Sequence, residues 1–203
     1  MSGRRIPKGK KLYSIFEIYG IAVKAFRSAG DMKRGLKSGI MSRQLQERIM
    51  LAVTAVNNCP MCSYAHTQMA LEAGLSEEEI KSLTAGEFPD LPENEIKAVL
   101  FAQHYADSRG KPSKQAWEEL IREYGEAGAR SVLAAARIIM FGNSMGIVFS
   151  SIKGRFSAGQ PDSRSSIIYE LGVILCLIPI IILSLIESLI CGLFKLPVIR
   201  FPD

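Results

Sequence analysis

Apolar positions recur along most of this chain at intervals of three and four residues, and no segment sustains the every-second-residue alternation of a half-buried strand. The pattern YSIFEIYGIAVKAFRSA puts Ile15, Ile18, Tyr19, Ala22 and Phe26 on one side of a helix that Gly30 is placed to end. A second helix is predicted from Ser42, an N-cap residue type, to Val56, with Leu45, Ile49, Ala52, Val53 and Val56 together. A turn at Asn57-Asn58 should start a third, running through Met69, Ala70 and Leu71 to Gly74 at its C′ position. Ser76-Glu77-Glu78-Glu79 reads as a capping box for a short helix through Leu83. Pro92 then leads into a helix carrying Ile96, Val99, Leu100, Gln103, His104 and Ala106. Gly110 and Pro112 interrupt the chain before Ser113 caps a helix with Trp117, Leu120, Ile121 and Tyr124 on one face. Residues 126–151 are apolar on most sides, as in a helix at the centre of a bundle or between subunits. The class is all-α, a helical bundle.

The pattern changes near the C-terminus. Residues 153–166, KGRFSAGQPDSRSS, have the composition of a linker. From Ile167 to Phe194 the only charged residues are Glu170 and Glu187, so this apolar tail has about the length that crosses a bilayer core of ~30 Å. A transmembrane anchor is the leading expectation for 167–194. Pro179 at its middle and Glu187 oppose that, and leave two alternatives: a hairpin turning at Pro179, or short helices packed on protein. The organisation expected is a basic N-terminal helical segment (1–40), a core (41–152), the linker and the membrane-associated segment.

Charge sharpens the membrane reading. Residues 1–48 hold twelve Lys or Arg against three acids, a local net of +9, while the 203-residue chain is only +5. Such a segment suits lipid headgroups, and without a base-stacking aromatic pattern or a nucleic-acid module no nucleic-acid partner is expected. The start MSGRRIPKGKK leads into an amphipathic helix and not into a secretion signal, so the catalytic part is expected in the cytoplasm, on the inner side of the membrane. Four cysteines are too few for a secreted disulfide scaffold, and Cys176 and Cys191 lie in the apolar tail as plain hydrophobes.

Chemistry concentrates in ERIMLAVTAVNNCPMCSYAH. Cys59 and Cys62, three residues apart, can close a disulfide within one helical turn, and His66 falls on the same helical stripe. A reactive cysteine needs a lowered pKa, and a helix N-terminus, a neighbouring base and a C-x-x-C partner each lower it. Asn57 and Asn58 as N-cap residues and Pro60 in the first turn would put the positive end of the helix dipole at the sulfurs. Antiparallel packing across the Asn57-Asn58 bend would bring Glu47 level with His66. The same four residues make up a complete zinc ligand number, so a non-enzymatic zinc-binding module attached to the membrane is an alternative, with the redox reading favoured in the absence of a second C-x-x-C. His104, the other histidine, is a second candidate near the site or an ordinary helix residue.

The spacing Glu47, Cys59, Cys62, His66 resembles the active-site signature of the alkylhydroperoxidase D-like group in the carboxymuconolactone decarboxylase superfamily. The resemblance extends to KAVLFAQHYADSRGKPSKQAWEEL and ARIIMFGNSMG, covering about 30–150, although Met61 stands where some relatives carry a histidine between the cysteines. It implies an alkylhydroperoxidase D-like helical bundle that reduces hydroperoxides through a Cys59–Cys62 disulfide. Cys62 would be the attacking thiolate, Cys59 the resolving thiol, and His66 with Glu47 the proton relay. It also implies a homo-oligomer and a protein or small-molecule thiol as reductant. A disulfide reductase or electron carrier for another redox protein is the alternative within the same chemistry. The decarboxylase reaction ranks lower because a dithiol has no evident part in it. No Gly-rich nucleotide loop is present, so no flavin or nicotinamide cofactor is expected, and none is needed by the dithiol.

Overall fold

A computed structural model describes residues 11–87, 90–157, 160–199 and 201; their regular structure is all helix, with no strand among them. The first ten residues of the basic segment lie outside the described residues. The helices are α1 (Ile15–Ser38), α2 (Arg43–Asn57), α3 (Pro60–Glu72), α4 (Glu77–Ala85), α5 (Glu93–Asp107), α6 (Lys114–Phe156) and α7 (Ile167–Leu193). The all-α bundle therefore carries an apolar C-terminal helix. α6 is its spine: α1 lies along one side of it, α2 and α5 along another, and α3 crosses its later half. Ile49, Leu51, Val53, Tyr105, Leu133 and Met140 fill the space between.

Helix ends follow local chemistry. Ser14, Ser42, Ser76, Ser113 and Ser166 each accept an amide two or three residues into the helix they precede, satisfying a donor that the helix itself cannot. Ser14 and Glu17 complete a reciprocal capping box. At Ser76 the box is incomplete because Glu79 turns away to Arg48. That buried arginine also meets Glu95 at 2.7 Å, tying α2 to α4 and α5.

Three boundaries differ from the sequence expectation. α1 runs through Gly30 to Ser38, because beyond the glycine buried Asp31 pairs with Arg130 of α6 at 3.1 Å and Gly35 lies against Ser131. This packing outweighs the ~1 kcal/mol that an interior glycine costs a helix. The helices expected at 113–125 and 126–151 are joined end to end as α6, broken only at Gly125, whose φ of 65° and ψ of 172° suit a glycine. α6 also continues to Phe156, shortening the linker. Its apolar sides are covered within one chain, which accounts for them without a second subunit.

α7 passes Pro179 as one continuous helix, so no hairpin turns there; the proline is on an exposed side. The helix lies lengthwise against α1. Tyr169 Oη donates to the Tyr13 carbonyl at 2.8 Å, Tyr19 donates to Glu187, and Arg27 donates to the carbonyls of Leu196 and Pro197 just past the helix end. By length and composition both α6 and α7 can cross a bilayer. The apolar window of α6 is 78% buried and that of α7 is 17% buried, so the bundle core explains the first and not the second.

Candidate active site

The α2–α3 corner is built from two unlike residues. Asn58 ends α2 in the left-handed region (φ 54°), its N–H on the Thr54 carbonyl at 2.8 Å. Asparagine tolerates that conformation because its short polar side chain bonds locally. Cys59 is then extended (φ −101°, ψ 103°) and is itself the N-cap of α3, a place the sequence reading gave to the asparagines. Its sulfur accepts the Cys62 N–H at 3.3 Å, and Pro60, which has no N–H to lose, fills the first turn. The helix start thus points an amide at Cys59 Sγ.

Cys59 and Cys62 are disulfide-bonded, with Cα atoms 5.4 Å apart. Both are buried, Cys62 slightly less at 8% exposed against 1%. α6 forms the roof over the sulfurs. The Gly142 carbonyl lies 3.6 Å from Cys62 Sγ, and a Cβ on Gly146 would stand 2.5 Å from Cys62 Sγ and 2.7 Å from Cys59 Sγ. Only a glycine at 146 lets α6 come this close.

Because α3 folds back on α2, Glu47 and His66 meet: Glu47 Oε2 is 2.8 Å from His66 Nδ1. The carboxylate is buried, and its other oxygen accepts from Gln46 Nε2 at 3.0 Å. A carboxylate at Nδ1 favours the tautomer that carries its proton there, and His66 lies one turn after Cys62 along α3. The neighbouring Arg48 is committed to Glu79 and Glu95 and leaves Glu47 to the histidine.

Groups from far along the chain complete the corner. Arg164, from the segment before α7, donates to the carbonyls of Asn57 (3.4 Å) and Asn58 (3.2 Å), and Asp162 holds its guanidinium at 2.6 Å. Arg164 keeps the Asp162 carboxyl below its ordinary range, against a smaller opposing effect of burial. Thr54 Oγ1 donates to Asn143 Oδ1 at 3.1 Å, and Tyr13 Oη donates to Asn57 Oδ1 at 3.0 Å. The amino groups of these two buried asparagines have no protein partner among the described residues.

His104 is elsewhere. It is exposed on α5, and its Nε2 accepts the Ser113 N–H at 3.2 Å, which makes it part of the turn into α6. Among the described residues no three His, Cys, Asp or Glu side chains converge as a metal site. A cavity of about 850 Å³ is lined by Asp31, Arg34, Ile40, Glu126 and Arg130, and one of about 550 Å³ by Phe26, Trp117, Cys191 and Val198; neither includes Glu47, Cys59, Cys62 or His66.

Residues 24–104 match the carboxymuconolactone decarboxylase family. That match, over 81 of the 203 residues, supports membership of the carboxymuconolactone decarboxylase superfamily. That superfamily includes alkylhydroperoxidase D-like proteins, and its matched stretch contains Glu47, Cys59, Cys62 and His66 but stops before α6 and α7. No curated protein and no solved structure matches. The roof glycines, Gln46 and Arg164 escaped the sequence reading. Gly142 and Gly146, four apart in an Ala- and Ile-rich helix, were the legible hint of a close approach.

Proposed function

We propose that this protein is a thiol-dependent peroxidase of the alkylhydroperoxidase D-like type. The observation that carries the reading is the single corner holding a Cys59–Cys62 pair together with a carboxylate-anchored histidine on the same helix. In the reduced protein His66 Nε2 takes the Cys62 thiol proton, directly or through a water, and the thiolate attacks the distal peroxide oxygen. The O–O bond breaks, Cys62 becomes a sulfenic acid, and the proton goes to the departing alkoxide, giving an alcohol. Cys59 then attacks the Cys62 sulfur, expelling water and leaving the disulfide. An external dithiol restores the thiols, two electrons per turnover.

The N-cap amide supports the direction of that last step. It stabilises a thiolate on Cys59, so a reductant attacking the more exposed Cys62 sulfur displaces Cys59 as the better leaving group. The same feature supports disulfide exchange with another redox protein as the second reading. The reductant, a protein or a small thiol, works in the cytoplasm under this proposal, where the catalytic domain sits at a membrane as part of a homo-oligomer.

The test uses the reduced full-length chain, one equivalent of an organic hydroperoxide and mass analysis of Cys59 and Cys62. Wild type should yield one Cys59–Cys62 disulfide and one alcohol. Cys59→Ser should stop at a Cys62 sulfenic acid that dimedone traps, and Cys62→Ser should consume no peroxide above an ordinary thiol. A Cys62→Ser variant that still turns over peroxide would contradict the assignment. Inert thiols toward peroxide, with rapid reduction of a protein disulfide, would favour the second reading.

A further inference from the structure

α7 is built the opposite way from a helix on a water-soluble bundle. Its protein-facing stripe is Glu170, Val173, Leu177, Ile180, Ser184, Glu187 and Cys191, alternating steps of three and four, and it contains both carboxylates of the helix and its buried serine. Both carboxylates are satisfied by neighbouring elements, and the serine within its own helix. Glu170 accepts from Ser151 and Ser165 (2.7 Å each) and from Arg155 (2.7 and 3.0 Å), Glu187 accepts from Tyr19, and Ser184 donates to the Ile180 carbonyl. The outward side holds Ile168, Leu175, Ile178, Leu189 and Leu193, each 69–80% exposed.

We propose that α7 is an in-plane membrane helix, its outward face lying in the acyl layer of one leaflet while α1 and the dithiol domain stay on the aqueous side. Three observations select lipid as the occupant. The exposed apolar positions spread around more than half of the helix, since the buried stripe uses two of every seven positions. A second copy packing there would cover one further stripe; a bilayer covers the whole arc. From Leu171 to Ile186 the outward side chains offer no hydrogen-bonding oxygen or nitrogen, whereas protein interfaces carry about one hydrogen bond per 100–200 Å². Exposed Lys153 and Lys195 stand before and after the helix, cations placed where anionic headgroups would meet its two ends.

The docking on α1 selects in-plane over spanning. α7 is about 40 Å long at 1.5 Å per residue, and it touches α1 or its flanks near its start, in its later half and just beyond its end. A crossing α7 would draw α1 into hydrocarbon with the partly exposed Glu17 and Arg27, each costing several kcal/mol there. Lying flat, with the apolar face sunk about 5–10 Å, it leaves them in water. This inference does not depend on the peroxidase reading.

The full chain, added to preformed sealed vesicles of phosphatidylcholine and phosphatidylglycerol, should float with them and remain open to external protease at a C-terminal tag. Leu175→Glu and Leu189→Glu, on the outward face, should each cut the floated fraction at least tenfold while far-UV circular dichroism and the melting temperature stay as in wild type. If a glutamate variant misfolds, Leu175→Gln gives the same comparison with a milder change. A tag protected from protease would overturn the in-plane geometry in favour of a span. A wild-type chain that ignores vesicles and forms a lipid-independent dimer by light scattering, dissociated by Leu175→Glu, would overturn lipid in favour of a second copy.

Discussion

The α2–α3 corner and α7 both place polar groups inside, for opposite reasons. At the corner the surroundings are apolar core, and Glu47, Gln46, His66 and the two sulfurs gather there although burying a carboxylate is costly. In the proposed peroxidase that cost is tolerated because the chemistry needs a positioned base beside a thiol. Along α7 the inward carboxylates accept from protein donors, and the buried serine donates to a carbonyl of its own helix, while leucines and isoleucines look out. With α7 in lipid, as proposed, the carboxylates turn inward because protein is the more polar of their two surroundings. Under the two proposals made above, one inversion marks a reaction and the other a solvent that is not water.

The comparison can be sharpened first at the relay. His66→Gln removes the base and should lower peroxide turnover by about a hundred- to ten-thousand-fold, with the pH dependence of the thiol step flattened. Glu47→Gln keeps the shape but loses the charge beside Nδ1, and should give a smaller loss with an altered pH profile. If either variant keeps full activity and an unchanged profile, the polar cluster at the corner has no catalytic part.

The roof is the next place to press. Gly146→Ala forces a methyl group against both sulfurs and should destabilise the fold by about 1–3 kcal/mol, read as a lower urea midpoint. It should also slow disulfide closure, because the methyl group and the two sulfurs compete for the same space. An alanine variant with wild-type stability and closure would show that α6 does not sit so close.

The smallest effect is expected at the Asp162–Arg164 clasp. Because Arg164 depresses the folded pKa of Asp162, the pair's contribution is complete above the ordinary carboxylate range and is lost as pH falls through the depressed value. Asp162→Asn should therefore melt slightly below wild type at neutral pH, with the gap closing in acid as pH falls below the ordinary carboxylate range. A gap that widens in acid would contradict the assigned sign.

Periodicity and capping residues were enough to read the helical class, the corner at Asn57-Asn58 and the level placement of Glu47 and His66, since each depends on neighbours within about twenty residues. What escaped depends on distant contacts. The run of α1 through Gly30 rests on Arg130 and Ser131, about a hundred positions later, and the roof over the dithiol rests on Gly142 and Gly146. The N-cap shifted from asparagine to Cys59 because Asn58, in the left-handed region, was needed to end α2. The apolar tail was legible as apolar, but its polar stripe became meaningful only once Arg155, Ser151 and Tyr19 were seen to face it.

The central claim is that Cys62 is activated by its surroundings, and the rate of Cys59–Cys62 disulfide formation tests it most directly. Reduced wild-type protein mixed with an organic hydroperoxide in a stopped-flow or quench instrument should close the disulfide at least about a thousandfold faster than a free thiol of the same concentration reacts at neutral pH. Closure at the rate of an ordinary thiol would contradict the claim.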